Sequence, residues 1–422
     1  MKYKKTTLKN GLRIITVPMP QNPTVTVLVM VETGSKYETK PQNGLSHFLE
    51  HMCFKGTLAR PKPTDISLEL DGIGSAYNAF TAQEFTGYYA KADAKHRSKV
   101  LEIVSDIYLN STLPEDELEK EKGVIVEEIN MYEDLPQRQV QDIFMEALFG
   151  DQPAGWNIAG AKTNVCSFKR DDFVNYRENH YVASATTVIV SGHFNEKEII
   201  SEVKKRFSDI SSNAKADKLA VVEKQQKPTL KVRQKITDQM HLVLGVRTFP
   251  ATDKRNPALK LLSVILGAGM SSRLFVKLRE EMGVCYYVRA ETDSYTDHGH
   301  LMVSAGIDKN RLDEVVKALL VEFKKFKNEL VPDAELKKAK DYLIGTMFLG
   351  LESSDEIGEF YGYQEILKKK IKKPDEIAEE VQKVSAAEIK AVAEEIFQNN
   401  RLNLAVVGEV KNETRLSSIL SL

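Results

Sequence analysis

The chain has 422 residues, of which 42% are hydrophobic and 28% charged, and its formal net charge is -1. That length exceeds one ordinary hydrophobic core and predicts two domains or more. The charge balance gives no overall basic field, so no nucleic-acid or membrane partner is expected, and no run of 18 apolar residues predicts a spanning helix.

The first residues, MKYKKTTLKNGLRIITVPMP, are basic but carry no sustained apolar segment and no small-residue cleavage site. They are expected to open a folded domain, with LRIITV as a strand after an Asn-Gly turn. Three widely spaced cysteines (Cys53, Cys166 and Cys285) fit a reducing compartment, taken as cytoplasmic, and argue against a thiolate zinc site. Strands are predicted at 12–17 and 24–32, the second rich in β-branched residues. Helices are predicted at 44–56 and 63–72. GSAYNAFTA and EFTGYYAKA read as a hairpin around Gln83-Glu84. AKHRSKVLEIVSDIYL is helical in spacing. A longer helix runs from behind Pro114 to Pro136, and QVQDIFMEALFG forms another that ends at Gly150. TTVIVSGHF is a strand, and NEKEIISEVKKRF a helix capped by Asn195.

Residues 211–228 are polar, lack periodicity and read as a linker between domains at 1–210 and 229–422. Beyond it the order recurs. TLKVRQKI and MHLVLGVRTF are strands, PALKLLSVILGAG and SSRLFVKLREEM helices, CYYVRAETDSY and HGHLMVSAGI a strand pair, and NRLDEVVKALLVEFKKF a long helix. LNLAVVGEV matches TTVIVSGHF. The fold class is therefore α+β: two homologous α/β layered domains, each a mainly antiparallel sheet covered by helices.

The predicted helix LSHFLEHMC carries His47 and His51 at i and i+4, hence on one face. That spacing suits two imidazoles on one zinc ion. Glu50 lies beside them, where a carboxylate can accept a proton from an activated water, giving HxxEH. Spacing alone leaves two readings open, a zinc site or a helix with structural histidines. A catalytic zinc needs a third ligand. Glu119, Glu121, Glu127 and Glu128 on the 115–135 helix are candidates, although most acids on such a helix are solvated. Val124 and Ile125 are expected to face the core, with Glu121 and Glu128 on an adjacent face. His298 and His300 have strand spacing for chelation, but an exposed turn is the preferred reading.

GLSHFLEHMCFKGT, NAFTAQEFTGYYAKA and EKGVIVEEINMYED together resemble the pitrilysin or insulinase family of inverted zinc peptidases, in its short two-domain branch. The resemblance implies zinc, one per chain, with Glu128 as third ligand and Glu121 as the acid that orients the site. Glu127 is the competing assignment. It implies that LREEMGVCYYV is the R-x6-Y element, with Arg279 and Tyr286 assisting the oxyanion. It implies that Asn78, Ala79 and Phe80 form an edge strand for peptide substrates. Val264, Gly267 and Ala268 then stand where His47, Glu50 and His51 stand, leaving one metal site. The implied activity is zinc endopeptidase action on unstructured peptides or presequences, by a homodimer with composite sites. The rivals are a non-catalytic structural subunit, whose usual sign is loss of the metal or base residues, and a heterodimer in which a partner supplies the R-x6-Y element.

Overall fold

The computed structural model describes residues 2–422. Its strands are β1 (Lys4–Thr7), β2 (Arg13–Pro18), β3 (Thr24–Val31), β4 (Ala76–Thr81), β5 (Thr86–Asp93), β6 (Thr186–Gly192), β7 (Thr229–Arg233), β8 (Gln239–Thr248), β9 (Cys285–Ser294), β10 (Gly299–Asp308) and β11 (Leu402–Val407). Before residue 210 the helices are α1 (Leu45–Cys53), α2 (Pro63–Asp71), α3 (Arg97–Asn110), α4 (Glu115–Asp134), α5 (Pro136–Phe149), α6 (Lys162–Ser167), α7 (Arg170–His180) and α8 (Glu196–Arg206). After the linker they are α9 (Asn256–Gly267), α10 (Leu312–Asn328), α11 (Asp333–Leu349), α12 (Ser354–Lys368), α13 (Pro374–Lys383), α14 (Ala386–Ile396) and α15 (Glu413–Ile419). Residues 211–226 contain neither strand nor helix. Among the described residues no helix is long and apolar enough to cross a membrane.

The chain forms two compact units. One gathers residues up to 129, 157–219 and 348–373; the other gathers 130–156, 220–347 and 374–422. The first unit holds a six-stranded sheet in the order β1-β2-β6-β3-β5-β4. Every neighbouring pair is antiparallel except β2–β6. Its centre, β3, is buried over nearly its whole length, which suits the apolar run TVTVLVMV. The second unit holds β7-β11-β8-β10-β9, with β7–β11 as its parallel pair. The two sheets therefore share one strand order, β1 aside, as the recurring sequence pattern predicts.

The units do not follow the contiguous boundaries 1–210 and 229–422. Each contains a helix from the other half of the chain. Before the linker, α5 seats Val140, Phe144 and Leu148 against Val243, Ala405 and Val407 of the second sheet. Late in the chain, α12 lies on β2, β3 and β6 of the first sheet. Gly362 permits that approach, since a Cβ there would meet Met30 Sδ at 2.6 Å. Polar ties hold the same helix: Ser354 Oγ to Thr26 Oγ1 at 2.8 Å, and Lys91 to Asp355 at 2.7 Å. An amphipathic pattern states that a face will be buried but not against which sheet.

Some elements carry too little pattern to be predicted. KKTT of β1 has no apolar alternation, and α7 reads RDDFVNYRENH, in which only Phe173, Tyr176 and His180 are buried. The segment after Ser271 is helical, as predicted, but forms a widened π-type turn at Phe275–Glu281.

Candidate metal centre

The helix α1 is short, and its start is built by more than its own sequence. Gly44 precedes it at φ 104, a left-handed conformation. A Cβ there would meet Ala159 O at 2.7 Å, so glycine is required. The buried Glu38 carboxylate accepts from the backbone N–H of Ser46 at 2.6 Å and of Gly44 at 2.9 Å. It thereby satisfies donors left open in the first turn. Burial pushes this carboxyl up to about 7, against the pull of those donors. Phe48, Leu49 and Met52 then bury one face of α1 in the first core. The other face presents His47 and His51, with ring centroids 4.7 Å apart.

On α4 the buried residues are Leu118, Glu121, Ile125 and Ile129. Val124, expected in the core, is instead 53% exposed. It lies one residue, about 100° of helix, before Ile125 and so turns away from the buried face. Seven residues after Glu121, Glu128 returns to the same side. Its Oε2 lies 3.7 Å from His47 Nε2 and 3.6 Å from His51 Nε2. Tetrahedral ligands held at ordinary zinc distances are about 3.4 Å apart. One ligand atom from each of the three residues lies within 4.8 Å of the others. Glu127 is exposed and outside this group.

The three residues therefore fit a zinc ion, and their surroundings reinforce the fit. Burial, then the neighbouring His51 charge, lowers the His47 pKa to about 4 against the pull of Glu128, which leaves a neutral imidazole with a lone pair to offer. His51 Nδ1 lies 2.9 Å from Glu121 Oε1, which turns Nε2 toward Glu128. Burial lowers the His51 pKa, but the Glu121 hydrogen bond and the nearby carboxylates outweigh it and raise it overall. Lys55 holds the other Glu121 oxygen at 2.6 Å. Burial opposes ionisation of Glu121, yet the bonds from His51 and Lys55 keep its pKa low. Glu50 is buried on the same helix, and burial raises its pKa. Its Oε2 accepts from Thr81 Oγ1 at 2.6 Å.

The remaining predicted residues sit elsewhere. Asn78, Ala79 and Phe80 lie on β4, the edge strand of the first sheet, and Asn78 Oδ1 accepts from its neighbour's backbone N–H at Ala79. Arg279 and Tyr286 belong to the second unit. There the Arg279 guanidinium donates to the Tyr286 backbone carbonyl and lies 5.3 Å from its ring centroid. The Tyr286 side chain is left 74% exposed. Gly267 on α9 is pressed against β9, where a Cβ would meet Ala290 N at 2.5 Å. No side chain fits where the matched position of the first half carries Glu50. His298 and His300 are not on an exposed turn. Both are buried: His300 lies on β10, inside the sheet between β8 and β9, beside Asp293, whereas His298 lies in the turn just before β10, beside Asp297, with its ring stacked on Tyr295 and edge-on to Phe149. Three residues of the centre were not singled out from sequence: Glu38, Lys55 and Thr81. Only Lys55 carried a local signal, four residues after His51.

The chain is similar to known proteins along most of its length. A family model described as "Insulinase (Peptidase family M16)" matches residues 13–162, and one described as "Peptidase M16 inactive domain" matches 167–343. A Bacillus subtilis protein named "Uncharacterized zinc protease YmxG" is 35% identical over 395 residues, covering 93% of this chain and 95% of its own. A Rickettsia felis protein with the name "Uncharacterized zinc protease" is 33% identical, with coverage of 93% and 94%. Among solved structures, a protease from Helicobacter pylori superposes with a TM-score of 0.87 at 23% identity, over 96% of this chain and 99% of that one.

Proposed function

This chain belongs to the insulinase family of peptidases, and we propose from its centre that it is a zinc endopeptidase acting on unstructured peptides or presequences. The observation that carries this reading is the convergence of His47, His51 and Glu128 with Glu50 beside them on α1. Zinc, when bound, supplies Lewis acidity that lowers the pKa of a water towards neutrality and polarises a carbonyl. His47 Nε2, His51 Nε2 and a Glu128 oxygen would hold it. Glu121 orients His51 and is itself held by Lys55. Glu50 takes the proton of the attacking water and later delivers it to the leaving amine. A peptide adds to the open side of β4 by main-chain pairing, which suits weak side-chain preference. The family resemblance assigns Arg279 and Tyr286 to the oxyanion. All the metal and base residues are present, which favours an enzyme over a structural subunit.

The deciding experiment is turnover of unstructured peptides of graded length, before and after chelation and after zinc is restored. Zinc-dependent cleavage supports the reading. A fully zinc-loaded protein that cleaves none of them refutes it.

We further propose a homodimer in which the first half of one subunit serves a site with the second half of its partner. The support is the resemblance: long family members enclose peptides with four such domains in one chain, and two copies of this chain supply four.

A further inference from the structure

Glu50 is the only acid of the centre whose partner comes from the sheet. Its carboxylate is buried and accepts from Thr81 Oγ1 at 2.6 Å. Among the described residues no other group donates to it. Thr81 ends β4, and alternation along that strand puts Tyr77, Ala79 and Thr81 on one face. Tyr77 and Ala79 pack against the first core. Thr81 therefore faces α1 at the point where Glu50 stands, 31 residues earlier in the chain. The opposite face of β4 carries Phe80, whose ring lies 6.2 Å from that of Tyr363 on α12. The strand end is thus held from both sides.

A glutamate has rotatable bonds to lose and two equivalent oxygens. A hydroxyl that donates to one oxygen fixes both the side-chain torsions and the identity of the oxygen left to act. Threonine suits this role because its β-branch restricts χ1. A hydrogen bond onto an ionised carboxylate is stronger than one between neutral groups. We propose that Thr81 is a positioning residue for the general base: it pins Glu50 through Oε2 and leaves Oε1 to take the proton. Because Thr81 belongs to the strand that would receive the peptide, base and substrate are referenced to the same backbone. This inference rests on the peptidase reading for its kinetics but not for its geometry.

The test compares zinc-loaded Thr81→Val, which keeps shape and strand propensity but cannot donate, with Thr81→Ser, which restores the hydroxyl. Crystal structures of both read the Glu50 side chain directly. Peptide turnover reads its effect, and metal analysis confirms one zinc in each. Glu50 should leave its position in Thr81→Val and keep it in Thr81→Ser. The Thr81→Val kcat should fall about 10- to 100-fold with KM unchanged, because small misplacements of a reacting group cost that much. Thr81→Ser should recover most of the rate. Thr81→Ala gives a second reading of the missing donor should valine disturb the strand end. The proposal is overturned if Glu50 stays in place without the hydroxyl, if kcat is unchanged, or if serine is as poor as valine. A zinc-loaded wild type without peptide turnover would instead sink the peptidase reading, and the crystallographic comparison would still decide the positioning role.

Discussion

His51 Nδ1 lies 2.9 Å from Glu121 Oε1, and the same ring turns Nε2 toward Glu128 at 3.6 Å. One imidazole thus links an orienting carboxylate to a ligand site. Glu121→Gln keeps the shape but loses the charge that holds the ring, so zinc affinity should drop about 10- to 100-fold while all three ligands remain. Competition with a chromogenic chelator measures it. Unchanged affinity would remove Glu121 from the site.

The ligand assignment itself is open to metal analysis. His47→Ala and His51→Ala should purify without zinc, and Glu128→Gln should bind it weakly. Glu127→Gln should keep one zinc per chain, since Glu127 stands outside the group. The reverse result for the two glutamates would shift the third ligand by one residue.

Base and ligand separate at Glu50. Glu50→Gln should retain full zinc and the wild-type melting temperature but lose about 10²- to 10⁴-fold in kcat. Near-normal turnover in a zinc-replete Glu50→Gln protein would exclude the proposed proton transfer.

Glu38 ties stability to pH. Its carboxyl titrates near 4.5 when unfolded and is pushed up to about 7 in the fold. A raised carboxyl contributes stability that is whole below about pH 4.5 and declines as pH rises to 7, after which it is flat. A shift of that size is worth about 3 kcal/mol. The stability of wild type relative to Glu38→Gln should therefore fall by about that amount between pH 4.5 and pH 7.5. Urea unfolding of both proteins across this range checks it. A difference that grows with pH would mean that the Ser46 and Gly44 N–H groups outweigh burial.

The shared-site dimer makes a sharper demand. Glu50→Gln and Arg279→Ala homodimers should each be nearly inactive, because losing one oxyanion donor costs about 10²- to 10³-fold. Mixed dimers should regain activity, since one of their two sites then has both elements intact. Light scattering verifies the dimer, and peptide turnover after subunit exchange reads the recovery. A fully active monomer, or verified mixed dimers that stay inactive, would dismiss the model.

What could be read from sequence alone was what a single element decides. Helical period places His47 and His51 on one face, and the structure has their rings 4.7 Å apart on α1. The same period returns Glu128 to the side of Glu121 on α4. Strand alternation and its recurrence after the linker announced two sheets, and these share one strand order. What depended on two elements meeting was not legible. Thr81 reaches Glu50 only because β4 lies beside α1, and Glu38 caps α1 across a turn. The helices α5 and α12 each cover the sheet of the other half, although their local patterns give no hint of it. His300 is buried because β10 has a strand on either side, and His298 because its ring packs on Phe149 of α5. The physical reason is one of range. Backbone geometry sets spacing over a few residues, so the ligand pair is written in five letters. Contacts across 31 or 70 residues depend on sheet register and on which apolar faces find each other, and the whole chain decides those together.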